Sequence, residues 1–282
     1  MSKLTSILKQ PLAALALGAL LLAGTANAAG PLNVSVDDNV LSADLQVAGG
    51  FSAKLTVTFE DVVGLSAQSL NISATAVDPT DGALLSRLGL SSGAIPTAFP
   101  MLVQIEPDPA RGLSFAGTVN VELYTHDLEF VAASPLRLYS APLGGAFTDV
   151  TSSHGAGSYR SGGTKGNFSE FMIVVETRTP LQASGDKLAA LRTMLNGYSA
   201  DMDADTYDEL SGLLSAAESA FAANSLVAAV TYAETFADAV EDEGSAIPNV
   251  WGASHNLENV SGRLRAAAAT LRFSLTLALN NS

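Results

Sequence analysis

The chain has 282 residues, 48% of them apolar and only 15% charged, which supplies a sizeable core and argues against a disordered polymer. Its 14 basic and 28 acidic residues give a net charge of −14, which argues against holding nucleic acid or an anionic membrane through clustered cations. With no cysteine and three histidines, disulfides, thiolate metal sites and thiol catalysis are excluded, and histidine chemistry has little to draw on.

Residues 1–28 have the form of a removable export signal. Lys3 and Lys9 make a positive start, and Pro11 to Gly24 is an apolar run too short to cross a bilayer comfortably. Ala26-Asn27-Ala28 then places small residues at the −3 and −1 positions of a signal-peptidase cut after Ala28. Leu21-Leu22-Ala23-Gly24 is followed by Thr25 where a lipoprotein signal has cysteine. The expected product starts at Ala29 and is exported, soluble and not lipid-anchored, in the periplasm or outside the cell.

From Pro31 to about Arg178 the pattern has period two. Phe51, Ala53, Leu55, Val57 and Phe59 alternate with Ser52, Lys54, Thr56, Thr58 and Glu60, a strand with one buried and one wet face. The same alternation recurs at 70–77, 101–105, 119–123, 136–139 and 168–175, separated by turn clusters such as Asp78-Pro79-Thr80-Asp81-Gly82 and Pro107-Asp108-Pro109. Ala83 to Leu90 reads as one short helix or a turn. The Gly- and Ser-rich run 155–166 reads as a long hairpin loop, in which Tyr159, Arg160 and Lys165 form an aromatic-plus-cation group suited to ligand binding. About eight short strands at this spacing predict an antiparallel β-sandwich over 29–178.

After Thr179-Pro180 the period becomes 3.6. Four stripes follow: Leu188, Leu191, Leu195 and Tyr198; Tyr207, Leu210, Leu214 and Phe221; Leu226, Val230, Ala233 and Val240; and Leu257, Val260, Leu264, Leu271 and Leu275. Breaks fall at Asn196-Gly197, at Asn224-Ser225 with Ser225 as an N-cap, and at 244–252 around Pro248. Short connections force antiparallel neighbours, so an up-down four-helix bundle is expected over 179–282. The fold class is α+β with the two kinds of structure segregated.

Two segments carry resemblances. Leu136 to Tyr139, Phe147 to Val150 and Gly166-Asn167-Phe168-Ser169-Glu170-Phe171 resemble the closing half of the ZU-and-UPA type of β-sandwich. Leu213 to Val240 resembles the helical hairpin of FIMAH-like modules, which are appended to bacterial surface proteins and secreted enzymes. The combination looks like an uncharacterised family of exported bacterial proteins, and the resemblance carries no activity. Some relatives of that sandwich type cleave themselves within His-Phe-Ser; here Asn167 replaces the histidine, so Ser169 lacks its base.

Other chemistry finds little support. There is no P-loop, and Ser184-Gly185-Asp186-Lys187 has Ser-x-x-Lys form without its usual companions. Asp201-Met202-Asp203-Ala204-Asp205 starts like an EF-hand but has Thr206, Asp208 and Gly212 where that loop needs glycine, an apolar residue and glutamate. In an up-down bundle, however, Asp201, Asp203 and Asp205 share a pole with Glu241, Asp242 and Glu243. That pole is either a calcium site or a hydrated surface. The leading expectation is a non-catalytic binding module with a protein or glycan ligand of the cell envelope and no cofactor unless calcium. Two alternatives stand beside it: a secreted hydrolase whose carboxylates meet only in three dimensions, and a calcium-responsive interaction module.

Overall fold

The computed structural model describes residues 28–89, 93–131 and 133–281, so the expected export signal lies outside the described residues except for Ala28. The strands, in chain order, are β1 (Asn33–Asp37), β2 (Val40–Gln46), β3 (Ser52–Val63), β4 (Leu70–Ala76), β5 (Gly93–Ala94), β6 (Met101–Pro107) and β7 (Ser114–Thr125). They continue with β8 (Leu136–Ala141), β9 (Thr148–Asp149), β10 (Thr151–Gly155), β11 (Tyr159–Lys165), β12 (Glu170–Glu176) and β13 (Val250–Gly252). The helices are α1 (Gly82–Leu88), α2 (Pro180–Gly197), α3 (Ala204–Ala222), α4 (Leu226–Asp242) and α5 (Val260–Asn280). The protein is thus mixed α+β, with two antiparallel sheets and five α-helices among the described residues.

The first sheet runs β1-β2-β3-β7-β11-β10. The second runs β4-β6-β12-β8-β9, with β5 added to β12. Alternation aims Leu41, Leu55 and Val121 of the first sheet and Ile72, Val103 and Phe171 of the second into one shared core. β12 instead reads as a continuous apolar run because both its faces are covered. Phe171 and Ile173 join the shared core, whereas Met172 and Val174 pack with Leu84 and Leu88 of α1 and with Phe147.

Two expectations about irregular segments are corrected. Half of the Gly-rich run is not a loop but β11, paired with β7 on one side and β10 on the other. A Cβ on Gly162 would lie 2.5 Å from Ser153 Oγ, and one on Gly163 would lie 2.8 Å from Val150 O, so these glycines serve close approach. The break between the last two helices contains β13, which pairs with β7 at Ser114–Ala116, just where β11 stops covering that edge. β13 delivers Trp251 onto Phe115 and Phe168, at ring-centroid distances of 5.4 and 5.5 Å.

α2 opens with a capping box between Thr179 and Gln182, and α3 with Asp203, whose carboxylate accepts from Thr206 N. Ser225 precedes α4 but makes no side-chain cap bond. Leu257 is exposed because α5 begins only at Val260. The four long helices bury one cluster of their own, including Leu191, Leu214, Phe236 and Leu271. α2 packs mainly on α5, α5 on α4, and α4 on α3.

The start of α5 is set directly on the first sheet. Asn259, fully buried, accepts from Gly262 N at 2.7 Å and donates from Nδ2 to Gly117 O at 2.6 Å. Gly117 has φ +68°, and a Cβ on Gly262 would overlap its carbonyl oxygen. A Cβ on Gly166 would sit 2.6 Å from Arg263 N. Arg265 adds a clamp, reaching Glu60 of β3 at 3.0 Å and Glu241 of α4 at 2.6 Å. Gly262→Ala should therefore lower unfolding free energy in urea by about 1–3 kcal/mol through overpacking. Gly212→Ala, at an exposed α3 position with open space around it, should raise it by about 0.5–1 kcal/mol.

Candidate functional site

Between α2 and α5, residues of β8 and β9 in the second sheet and the end of β11 lies a cleft of about 450 Å³. Tyr139, Pro142 and Phe147 to Val150 form one wall, Thr164 to Asn167 a second, and Ala190, Met194, Ala266, Ala267 and Thr270 the helical side. Four of the chain's 14 basic residues line it: Lys165, Arg178, Lys187 and Arg263. Only two acids do, Asp149 and Asp186.

Most of this charge is already allocated. Lys187 Nζ meets Asp149 Oδ2 at 2.7 Å, and donates to Ser274 Oγ at 2.9 Å and Thr270 O at 3.1 Å. Burial alone would raise the Asp149 carboxyl, but the Lys187 charge and hydrogen bonds from Lys187 and Thr151 outweigh it and hold it below the usual carboxylate range. Arg178 grips Glu176 with Nε at 3.0 Å and Nη2 at 2.6 Å, and reaches Asp186 with Nη1 at 2.8 Å. Tyr139 also donates to Glu176, at 2.7 Å, and burial together with that carboxylate pushes its phenol far up. Arg263 Nη1 meets Glu258 at 3.1 Å and donates to Tyr198 OH at 3.0 Å, while its buried Nε has no acceptor.

Lys165 is different. Among the described residues its amine has neither an ion-pair partner nor a hydrogen-bond acceptor, and it stands in the cleft near the like charge of Arg263. Burial pushes its amine down to about 8, and Arg263 adds to the shift.

The residues singled out from sequence are placed as follows. Tyr159 is fully buried in β11 and donates to Leu136 O at 2.6 Å, and burial raises its phenol to about 12. Arg160 points away from the core, pairs with Glu122 at 2.7 Å and covers the Tyr124 ring at 4.8 Å. Of the three, only Lys165 lines the cleft, so they do not converge on one ligand. At the acidic pole, Thr206 of α3 donates to Glu243 after α4, at 3.1 Å, so the two helix ends do meet there. Asp203 is held below its ordinary value by the hydrogen bonds from Thr206 that make it a cap. Glu241 is engaged by Arg265. Asp201, Asp205 and Asp242 join no cluster: among the described residues no group of three acids or histidines is arranged to hold a metal ion.

Two serines are also relocated. Ser184 donates to Pro180 O at 2.8 Å and Lys187 belongs to Asp149, so the Ser-x-x-Lys pair is not a dyad. Ser169, which lacks a base in the sequence, is buried with its Oγ 2.8 Å from Ser140 Oγ. Sequence reading missed an exposed arrangement: Ser158 Oγ lies 2.8 Å from His126 Nδ1, and His126 Nε2 lies 3.1 Å from Tyr124 OH. None of these three lines the cleft. Asp149, Lys187 and Arg263 were missed as well. The one sequence signal was the scarcity of cations, which makes any clustering of them informative.

These features define a mixed α+β protein with a ligand-sized cleft between its sheets and its helices. Residues 16–278 match a family of unknown function, DUF6689, and the chain belongs to that family. No curated protein matches it.

The two cleft lysines should respond oppositely to neutralisation. Lys187→Met strands the buried Asp149 charge and should cost about 3–5 kcal/mol in chemical unfolding. Lys165→Met removes a charge without a partner and should raise the melting temperature. The Lys165 penalty applies while the amine is charged, so wild-type stability should recover relative to Lys165→Met as pH rises from about 8 to about 10.4, the range in which only the unfolded chain holds the proton.

Proposed function

We propose that this protein is an exported, non-catalytic binding module, built as a β-sandwich carrying a four-helix bundle, whose binding site is the cleft between the two. The observation that carries the reading is Lys165, a cation held in a ligand-sized cleft without a carboxylate of its own. A cavity of this size, mostly apolar with a few polar groups, is the usual form of a small-molecule site. The shared sheet core and the separate helical cluster support the two-part architecture, and β13 supports a firm connection between the parts. Export rests on Lys3, Lys9 and Ala26-Asn27-Ala28. Ala29, the first residue after the expected cut, exchanges hydrogen bonds with Ala74 at 2.8 and 2.9 Å, so the expected product begins at the edge of a sheet. An envelope protein or glycan that inserts an end or side group into the cleft remains within this reading.

A carboxylate hydrolase fits less well. Such an enzyme needs one acid with a raised pKa beside a free carboxylate. Asp149 is instead held low by Lys187, and Asp186 is engaged by Arg178. A calcium-responsive module likewise lacks a gathered set of ligands among the described residues.

The test uses a neutral probe, N-phenyl-1-naphthylamine, whose fluorescence rises in apolar surroundings. The chain from residue 29 should bind one equivalent. Ala267→Trp, which fills the cleft from α5, should abolish the signal while leaving the circular dichroism spectrum unchanged. Equal binding by the filled variant would sink the assignment of the site. Export is checked separately by expressing the full chain in a Gram-negative host and weighing the product; a periplasmic or extracellular protein starting at Ala29 is expected.

A further inference from the structure

The charge count within the cleft says more than that something binds there. Lys187 and Asp149 cancel, and Arg263 is answered by Glu258. Arg178 is more than answered, by Glu176 and Asp186. The four cations and these four carboxylates sum to zero, but Lys165, at the end of β11, is the cation that none of them meets, and it faces a cavity whose other walls include Phe147, Met194, Ala190 and Ala267.

An unpaired ammonium in such a place departs from the pairing around it. Lys165 is half-buried with its amine open to the cleft, and a chain rich in acids had carboxylates to spare for it. Thr164 and Lys165 pair with Asn120 and Val119 of β7, so the Lys165 backbone is held by a strand and not by a loop. One unpaired ammonium open to an otherwise largely apolar cavity describes a receptor for an anionic head with an apolar body.

Building on the binding-module reading, we infer that the cleft takes a small organic monoanion, a carboxylate carrying a compact apolar group, with Lys165 as its counter-charge. The carboxylate lies against the Lys165 amine at the end of β11, and the apolar group lies between Phe147 and the alanine-rich faces of α2 and α5. A dianionic phosphate is disfavoured because a single unpaired ammonium faces the cavity, beside a second carboxylate in excess on Arg178. A cation is repelled by the unpaired Lys165 ammonium. The large aliphatic area of the lining excludes highly hydrated inorganic ions as the preferred occupants, since they would gain nothing from it.

Titration calorimetry with four isosteric probes tests this: cyclohexanecarboxylate, cyclohexanecarboxamide, cyclohexylphosphonate and cyclohexylmethylammonium. The carboxylate should bind one to one, at least tenfold tighter than the amide, and more tightly than the phosphonate. In Lys165→Met, carboxylate affinity should fall to the level of the amide while amide affinity stays unchanged. Lys165→Arg should retain most of the preference, because the charge is kept. Equal affinity of carboxylate and amide, or a preference untouched by Lys165→Met, would overturn the anion assignment and leave a neutral cleft. A preference for the phosphonate, itself mainly a monoanion at neutral pH, would overturn the carboxylate assignment. Failure of all four probes to bind would overturn the anion assignment. If N-phenyl-1-naphthylamine also failed, the cleft reading itself would fall with it.

Discussion

The seating of α5 on the first sheet is the contact on which the rest of the molecule depends. Asn259 caps the helix and, through its other side-chain atom, holds Gly117 of the central strand. Gly117, Gly166 and Gly262 keep side chains out of the junction, so helix backbone meets sheet backbone. This fixes the axis of α5, and α5 in turn presents Arg263, Ala266, Ala267 and Thr270 to the cleft. It also lets the chain between α4 and α5 come back to β7 and place Trp251 among Phe59, Phe115 and Phe168. A buried, fully hydrogen-bonded asparagine at a helix start gives both stability and register, because any sliding would leave its amide unmet.

Around that junction the ionic groups divide into two kinds. Arg178 with Glu176 and Asp186, Lys187 with Asp149, and Arg265 with Glu60 and Glu241 are pairs that tie sheet to helix or helix to helix. Buried pairs of this sort specify geometry more than they add stability, since desolvation offsets much of their attraction. Lys165 ties nothing to anything. Within a fold that has matched its other cleft cations to acceptors, a lone unmatched one is a departure from local consistency, and such departures concentrate where a protein binds something.

Much of the fold was legible because burial leaves a period in the sequence. The alternation through Phe51 to Phe59 became β3, and the stripes beginning at Leu188, Tyr207 and Leu226 became α2, α3 and α4. What stayed hidden has tertiary causes. Tyr159 to Lys165 reads as a loop because Gly162 and Gly163 interrupt it, yet those glycines mark where Ser153 and Val150 press close against a strand. β13 is three residues long, too short for any period, and exists because Trp251 has an aromatic cluster to enter. Asp149, Lys165, Lys187 and Arg263 stand far apart in the chain, so their meeting could not be read from spacing. The acidic pole shows the reverse case. Its helix ends do adjoin, but Asp203 is used as a cap and Glu241 by Arg265, so adjacency gathers no set of three acids among the described residues.

The state of the Lys165 amine decides most directly whether the cleft is what these contacts describe. Its titration can be followed by heteronuclear NMR in the protein with lysine side chains isotopically labelled, assigned by comparison with Lys165→Arg. A midpoint near 8 in the free protein, moving upward when cyclohexanecarboxylate is added, is expected of an unpaired amine facing a site for an anion. A midpoint at about 10.4 or above, the ordinary lysine range or higher, that does not move with the carboxylate would contradict it, for the amine would then be solvated or paired elsewhere.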